Sequence, residues 1–97
     1  MSEIRIERTH RLGLTRAREI AALWQDQAQS KYGMRCRYEA GDEEDRLHME
    51  RSGATGEMVV TAEHLSVRLE LGFLMSAYAG MIESQIQQNL DELLGTP

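Results

Sequence analysis

The residues of this chain that could do chemistry are three histidines, one cysteine and a run of acids. His10, His48 and His64 fall in three separate segments, and none stands at a metal-ligand spacing from another or from Cys36. A nucleophilic Cys36 would need a neighbouring base and basic, accessible surroundings to lower its pKa. It stands instead between Met34 and Tyr38 in a stretch that alternates apolar with charged residues, and that alternation points it inward. There a thiol behaves as a small hydrophobe. The run Gly41-Asp42-Glu43-Glu44-Asp45 could attract a cation, but it lacks the alternating oxygen spacing of a calcium loop. It is expected to be a solvated hairpin loop, too polar to bury. Gly53 and Gly56 are no phosphate cradle, because no lysine follows them as in a P-loop. His48 with Glu50, and Arg68 with Glu70, share strand faces and fit surface ion pairs better than a polar site. No catalytic, cofactor or metal site follows from these residues, and no enzyme is expected.

The elements that position them read from the periodicity. Residues 3–9 alternate as a strand, with Ile4 and Ile6 inward. From Leu14 to Tyr32 the period becomes helical, with Leu14, Ala17, Ile20, Ala21, Trp24, Ala28 and Tyr32 on one stripe. Thr15 is the expected N-cap, and Lys31 with Gly33 the C-terminal stop. Alternation returns at Met34, Cys36 and Tyr38, then at Leu47 and Met49, at Met58 and Val60, and at Leu65, Val67, Leu69 and Leu71. The turns between them are Gly41–Asp45, Ser52–Gly56, where a glycine could serve a bulge, and Ala62–His64. Twelve uncharged residues, Leu71 to Ile82, lead into a second helix expected from Ser76 to Leu94, the alternative being a start near Gly80. Its stripe is Tyr78, Ile82, Ile86, Leu90 and Leu94, widened by Met81 and Leu93.

The predicted fold is therefore α+β, a two-layer sandwich in the order β-α-β-β-β-β-α. An antiparallel sheet of about five strands carries both helices on one face, with the first strand beside the last. The outer face would hold Arg5, Glu7, Arg35, Arg37, Glu39, His48, Glu50, Arg68 and Glu70, paired across strands. Residues 1–97 are expected to form a single domain with one core. A net charge of −5 hides a basic stretch up to Arg37 and an acidic remainder. The two are expected to neutralise each other, so no nucleic acid is expected as a partner. The charged beginning does not read as a signal peptide and no run spans a membrane, which points to the cytoplasm.

Several segments together resemble a known family: Ile4-Arg5-Ile6, His10-Arg11-Leu12-Gly13-Leu14, Tyr32-Gly33, and Glu50-Arg51-Ser52-Gly53 with Gly56. Leu69-Glu70-Leu71-Gly72-Phe73-Leu74 and the ending Ile82-Glu83, Ile86 and Leu90-Asp91-Glu92-Leu93-Leu94 complete the pattern. The chain resembles the polyhydroxyalkanoic acid system proteins, short bacterial proteins associated with the polyhydroxyalkanoate granule gene region. The resemblance implies a non-enzymatic accessory of polyhydroxyalkanoate storage, acting at the granule surface or on a granule protein. It brings no catalytic residues to carry over. The strand-strand-helix ending is also similar to a reduced helix-grip domain of the START-like class. That likeness implies a second function, a small carrier of an apolar acyl ligand. Leu71 and Phe73 continue the inward register and are expected in the core. Leu74 and Met75 break it, so at least one of them is expected exposed, as the contact for a granule or partner. The uncharged segment and open sheet edges also lead to an expected homodimer.

Overall fold

In the computed structural model, which describes residues 2–95, five strands form one antiparallel sheet and two helices cross one face of it. The order is β1 (Ser2–Thr9), α1 (Gly13–Tyr32), β2 (Arg35–Glu39), β3 (Glu44–Arg51), β4 (Ala54–Thr61), β5 (His64–Leu71) and α2 (Ala79–Leu94). A 3-10 turn over Met75–Tyr78 precedes α2. In space the strands run β1-β5-β4-β3-β2, so the first lies beside the last, as the sequence predicts. Alternation sets the register. Ile6, Val67, Met58, Leu47 and Tyr38 form one row across all five strands on the inner face. Arg5, Arg68, Glu57, His48 and Arg37 form the next row on the outer face. A slip of one residue would exchange these rows, which the apolar core forbids.

The outer face carries ion pairs across strands as expected, but His48 meets Glu39 and Glu57 rather than Glu50, and Arg46 joins the set. Arg35 meets Glu50 at 2.8 Å, Arg46 meets Glu57 at 3.0 Å and His48 meets Glu39 at 3.2 Å. Such exposed pairs contribute at most about 1 kcal/mol each. The basic beginning also pairs with the acidic remainder: Arg8 reaches Asp91 of α2 at 3.3 Å, and Arg18 reaches Asp45 at 2.9 Å.

The inner face of α1 is Ala17, Ile20, Ala21, Trp24 and Ala28, all buried. Its alanines let the helix axis approach the sheet closely, and Trp24 fills the space beyond them. The helix ends as predicted at Gly33, whose φ of 64° suits a residue without a β-carbon. The N–H groups of Gly33 and Met34 both turn back to the Ala28 carbonyl. Its beginning differs from the expectation. The helix starts at Gly13 rather than beyond a Thr15 cap, with no side-chain cap on its first turn. The His10 ring instead accepts from the Leu12 N–H at 3.2 Å, through Nδ1.

Four further expectations are corrected. Asp45 is not in a solvated loop but in β3, and it is completely buried. The turn between β3 and β4 is two residues, Ser52 and Gly53, with no bulge; Gly56 is an inward residue of β4. Phe73 is not core, because Gly72 donates to the Gly53 carbonyl at 2.8 Å and the chain leaves the sheet there. Once the ladder stops, alternation no longer predicts direction. Ser76 does not cap α2: its hydroxyl donates back to the Gly72 carbonyl at 2.9 Å, inside the 3-10 turn. That turn winds at about three residues per turn and rotates Tyr78 off the apolar stripe of α2. Ile86 and Leu90 are the buried part of the stripe, with Ile82, Leu93 and Leu94 half-buried against the core.

Candidate functional site

The helices divide the sheet between them: α1 packs over β4, β3 and β2, and α2 over β1. This separation leaves a cleft of about 300 Å3 between them, floored by β5 and the adjoining ends of β3 and β4. The floor is Val67, Leu69, Leu71, Ala54 and Met49. One wall is Trp24, Ala28 and Tyr32 of α1; the other is Met81, Ile82 and Ile86 of α2. Four of the six methionines, Met34, Met49, Met75 and Met81, line it. Their unbranched, polarisable side chains give walls that adapt to what enters.

The polar groups at the cleft are few. Gln27, Gln85 and Asn89 contribute side-chain amides, and Arg51 is its one charged side chain among the described residues. Arg51 lies in an inward row, opposite Ala54, at the end of β3. Its Nη1 donates to the Tyr32 carbonyl at 2.7 Å, at the C-terminal end of α1, where a cation is favoured. The amide oxygen of Gln27 is buried and has no hydrogen-bond partner among the described residues. No aspartate, glutamate, histidine, cysteine, serine or lysine lines the cleft among the described residues.

Beside the mouth, the uncharged segment forms an apolar lip. Phe73 is 85% exposed, Leu74 80%, Met81 69% and Tyr78 54%. Of the two expected contact residues, Leu74 is thus open to solvent, whereas Met75 is half-buried and packs against the core. Met75 also lies over the β3–β4 turn, where a β-carbon on Gly53 would stand 3.2 Å from its Cγ. The segment therefore splits into one anchoring residue and a set of outward ones.

Away from the cleft, the buried carboxylate of Asp45 ties α1 to the β2–β3 hairpin. Arg18 donates to it twice, from Nε at 2.9 Å and from Nη2 at 3.2 Å. The Tyr38 hydroxyl and the Gly41 N–H, the latter at 3.0 Å, complete its shell. Burial alone would raise the Asp45 pKa, but the hydrogen bonds from Arg18, Tyr38 and Gly41 together outweigh it and hold the carboxyl below its ordinary value. Burial first, and then the hydrogen bond to Asp45, push the Tyr38 phenol well above its usual range. This cluster is satisfied within itself and acts as a structural clip. Sequence reasoning missed it by treating the acidic run as one unit. The signal was present: the inward alternation of Met49 and Leu47, carried back one step further, lands on Asp45.

The other singled-out residues lie outside the cleft. Cys36 is half-buried against the core on β2, and burial pushes its thiol pKa up. His10 and His64 come to the same end of the β1–β5 ladder, where Thr9 pairs with His64 and the His10 N–H donates to the Glu63 carbonyl, and His48 is on the outer face between Glu39 and Glu57. No group of three or more metal-ligating side chains occurs among the described residues. No helix among them is long and apolar enough to cross a membrane.

No curated protein and no solved structure matches the chain. A family model described as "Putative polyhydroxyalkanoic acid system protein" matches residues 4–94, a span that takes in all five strands but for the first two residues of β1, together with the cleft and the lip. The chain belongs to this family of polyhydroxyalkanoic acid system proteins.

Proposed function

We propose that the protein is a non-enzymatic accessory of polyhydroxyalkanoate storage that meets the granule surface, or a protein on it, through the lip at residues 73–81. The observation that carries this reading is the exposure of Phe73 and Leu74, 85% and 80%, directly after a strand whose Leu65, Val67, Leu69 and Leu71 are all buried. Large apolar side chains held outward near each other mark interaction surfaces. Family membership supplies the context of that surface, an apolar polyester. The largely apolar lining of the cleft among the described residues supports a binding role. Leu74 is the contact residue of this reading, and Met75 its anchor. A homodimer formed through the same lip belongs to this reading as the state that covers it away from granules.

The test is fractionation of polymer-accumulating cells. The protein should sediment with granules and return to the soluble fraction when the polymer is depleted. A soluble distribution that ignores polymer content would contradict the reading.

The cleft favours a second reading, a small carrier of an apolar acyl ligand. Its volume of about 300 Å3 is at the lower end of ordinary ligand pockets, and its lining is almost wholly apolar.

A further inference from the structure

We propose that the cleft between α1 and α2 binds one medium-length hydroxyacyl chain by its free carboxylate, with Arg51 as the anion anchor and Gln27 as the acceptor for the hydroxyl. The proposal rests on the carrier reading and gives it a ligand chemistry, an orientation and a size.

The size follows from the volume. A cleft of about 300 Å3 lies at the lower end of ligand pockets, which suits a single chain of medium length. The charge follows from Arg51. An arginine at an apolar cleft is matched by a carboxylate, and its one assigned hydrogen bond, from Nη1 to the Tyr32 carbonyl, leaves other N–H groups of the fork for a ligand. The hydroxyl follows from Gln27. Its buried amide oxygen lacks a donor, a cost that a ligand hydroxyl would remove. Gln27 and Arg51 both line the cleft, Arg51 held there by the Tyr32 carbonyl five residues further along α1. The chain would then run from the Arg51 end over Leu69 and Val67, against Ile82 and Ile86.

Trp24, the one tryptophan of the chain, lines the cleft and supplies the readout. Its fluorescence is followed while the protein is titrated with 3-hydroxydecanoate, decanoate and methyl 3-hydroxydecanoate. The hydroxy acid should bind with one-to-one saturation and most tightly. The ester should bind at least about tenfold more weakly, the loss expected for one charge-assisted contact. Arg51→Gln keeps a donor for the Tyr32 carbonyl but not the charge, and should abolish the preference for acid over ester. Gln27→Leu should abolish the preference for the hydroxylated acid over decanoate. The same end group occurs on a free acid and at the end of a polyester chain, and a short carboxyl-ended oligomer titrated alongside shows which source binds more tightly. Equal binding of acid, plain acid and ester to the wild type would overturn the proposal while leaving an unselective carrier. No fluorescence change with any of the three would overturn the carrier reading as well. The comparison of acid with ester needs no variant, so a poorly folded Arg51→Gln leaves the test intact.

Discussion

A β-carbon on Gly56 would stand 2.9 Å from Cδ1 of Leu69, its partner across β4 and β5. Gly56 lies in an inward row of the sheet, between Met49 and Leu69, and those two side chains close over the space it leaves. Gly56→Ala should therefore be destabilising by about 1–3 kcal/mol through overpacking, despite the better strand propensity of alanine. Chemical denaturation with an unchanged m-value and a lower midpoint is the expected result. Gly80→Ala is the contrast: a β-carbon there meets nothing within 4 Å, and removing a glycine from α2 should leave stability equal or raise it by up to about 1 kcal/mol.

Asp45→Asn should lower stability by about 3 kcal/mol. The substitution keeps the shape but places a donor among Arg18, Tyr38 and the Gly41 N–H, all of which donate to the native carboxylate. Thermal unfolding of the variant measures this, and a change within experimental error would mean that the clip contributes nothing.

The same carboxylate sets an acid limit. Its folded pKa is below its unfolded value, so below about pH 4 the unfolded state binds more protons and stability falls with pH. The contribution is fully present above the unfolded value and is lost as pH drops through the folded one. Wild type and Asp45→Asn should thus converge in stability on acidification. A gap between them that stays constant from pH 7 to pH 3 would contradict this.

Cys36 should react slowly with a thiol reagent in the native protein and rapidly after denaturation. It is half-buried on β2, and burial raises its pKa, so less thiolate is present at neutral pH. Native labelling should speed up as pH rises. Labelling as fast as that of the unfolded chain would place the thiol outside the core.

Much of this was legible in the sequence because alternation and helical period report directly on burial. Ile4, Ile6, Leu47, Met49, Met58, Val60, Leu65, Val67, Leu69 and Leu71 all face the core as their spacing requires. Gly33 announces the end of α1 because glycine adopts its left-handed φ without the cost a β-carbon brings. What was not legible depends on where a ladder stops. The hydrogen bond from Gly72 to Gly53 ends the sheet at Leu71, and no pattern in residues 71–82 marks that point. Alternation therefore predicts an inward Phe73, which stands outward instead, while the exposure of Leu74 follows from the break in register that the sequence does show. The cleft was illegible for a related reason, since it arises from the lateral separation of α1 and α2 rather than from either helix alone.

Leu74→Asp and Met75→Asp should differ sharply in stability. Leu74 is 80% exposed and its replacement should leave the Tm within about 2 °C. Met75 packs against the core, and a charge there should cost about 2 kcal/mol or more. Equal effects would mean that the strand-helix junction is arranged differently.

The most direct measurement is sedimentation of purified protein with polyhydroxyalkanoate particles, wild type beside Phe73→Asp and Leu74→Asp, each first shown to keep its melting temperature. The wild type should pellet with the particles, and each variant should lose most of that association, because a charge replaces an outward apolar side chain at the lip. If both variants pellet as the wild type does, residues 73–81 are not the contact, and the charged outer face around Arg68 and His48 becomes the surface to test.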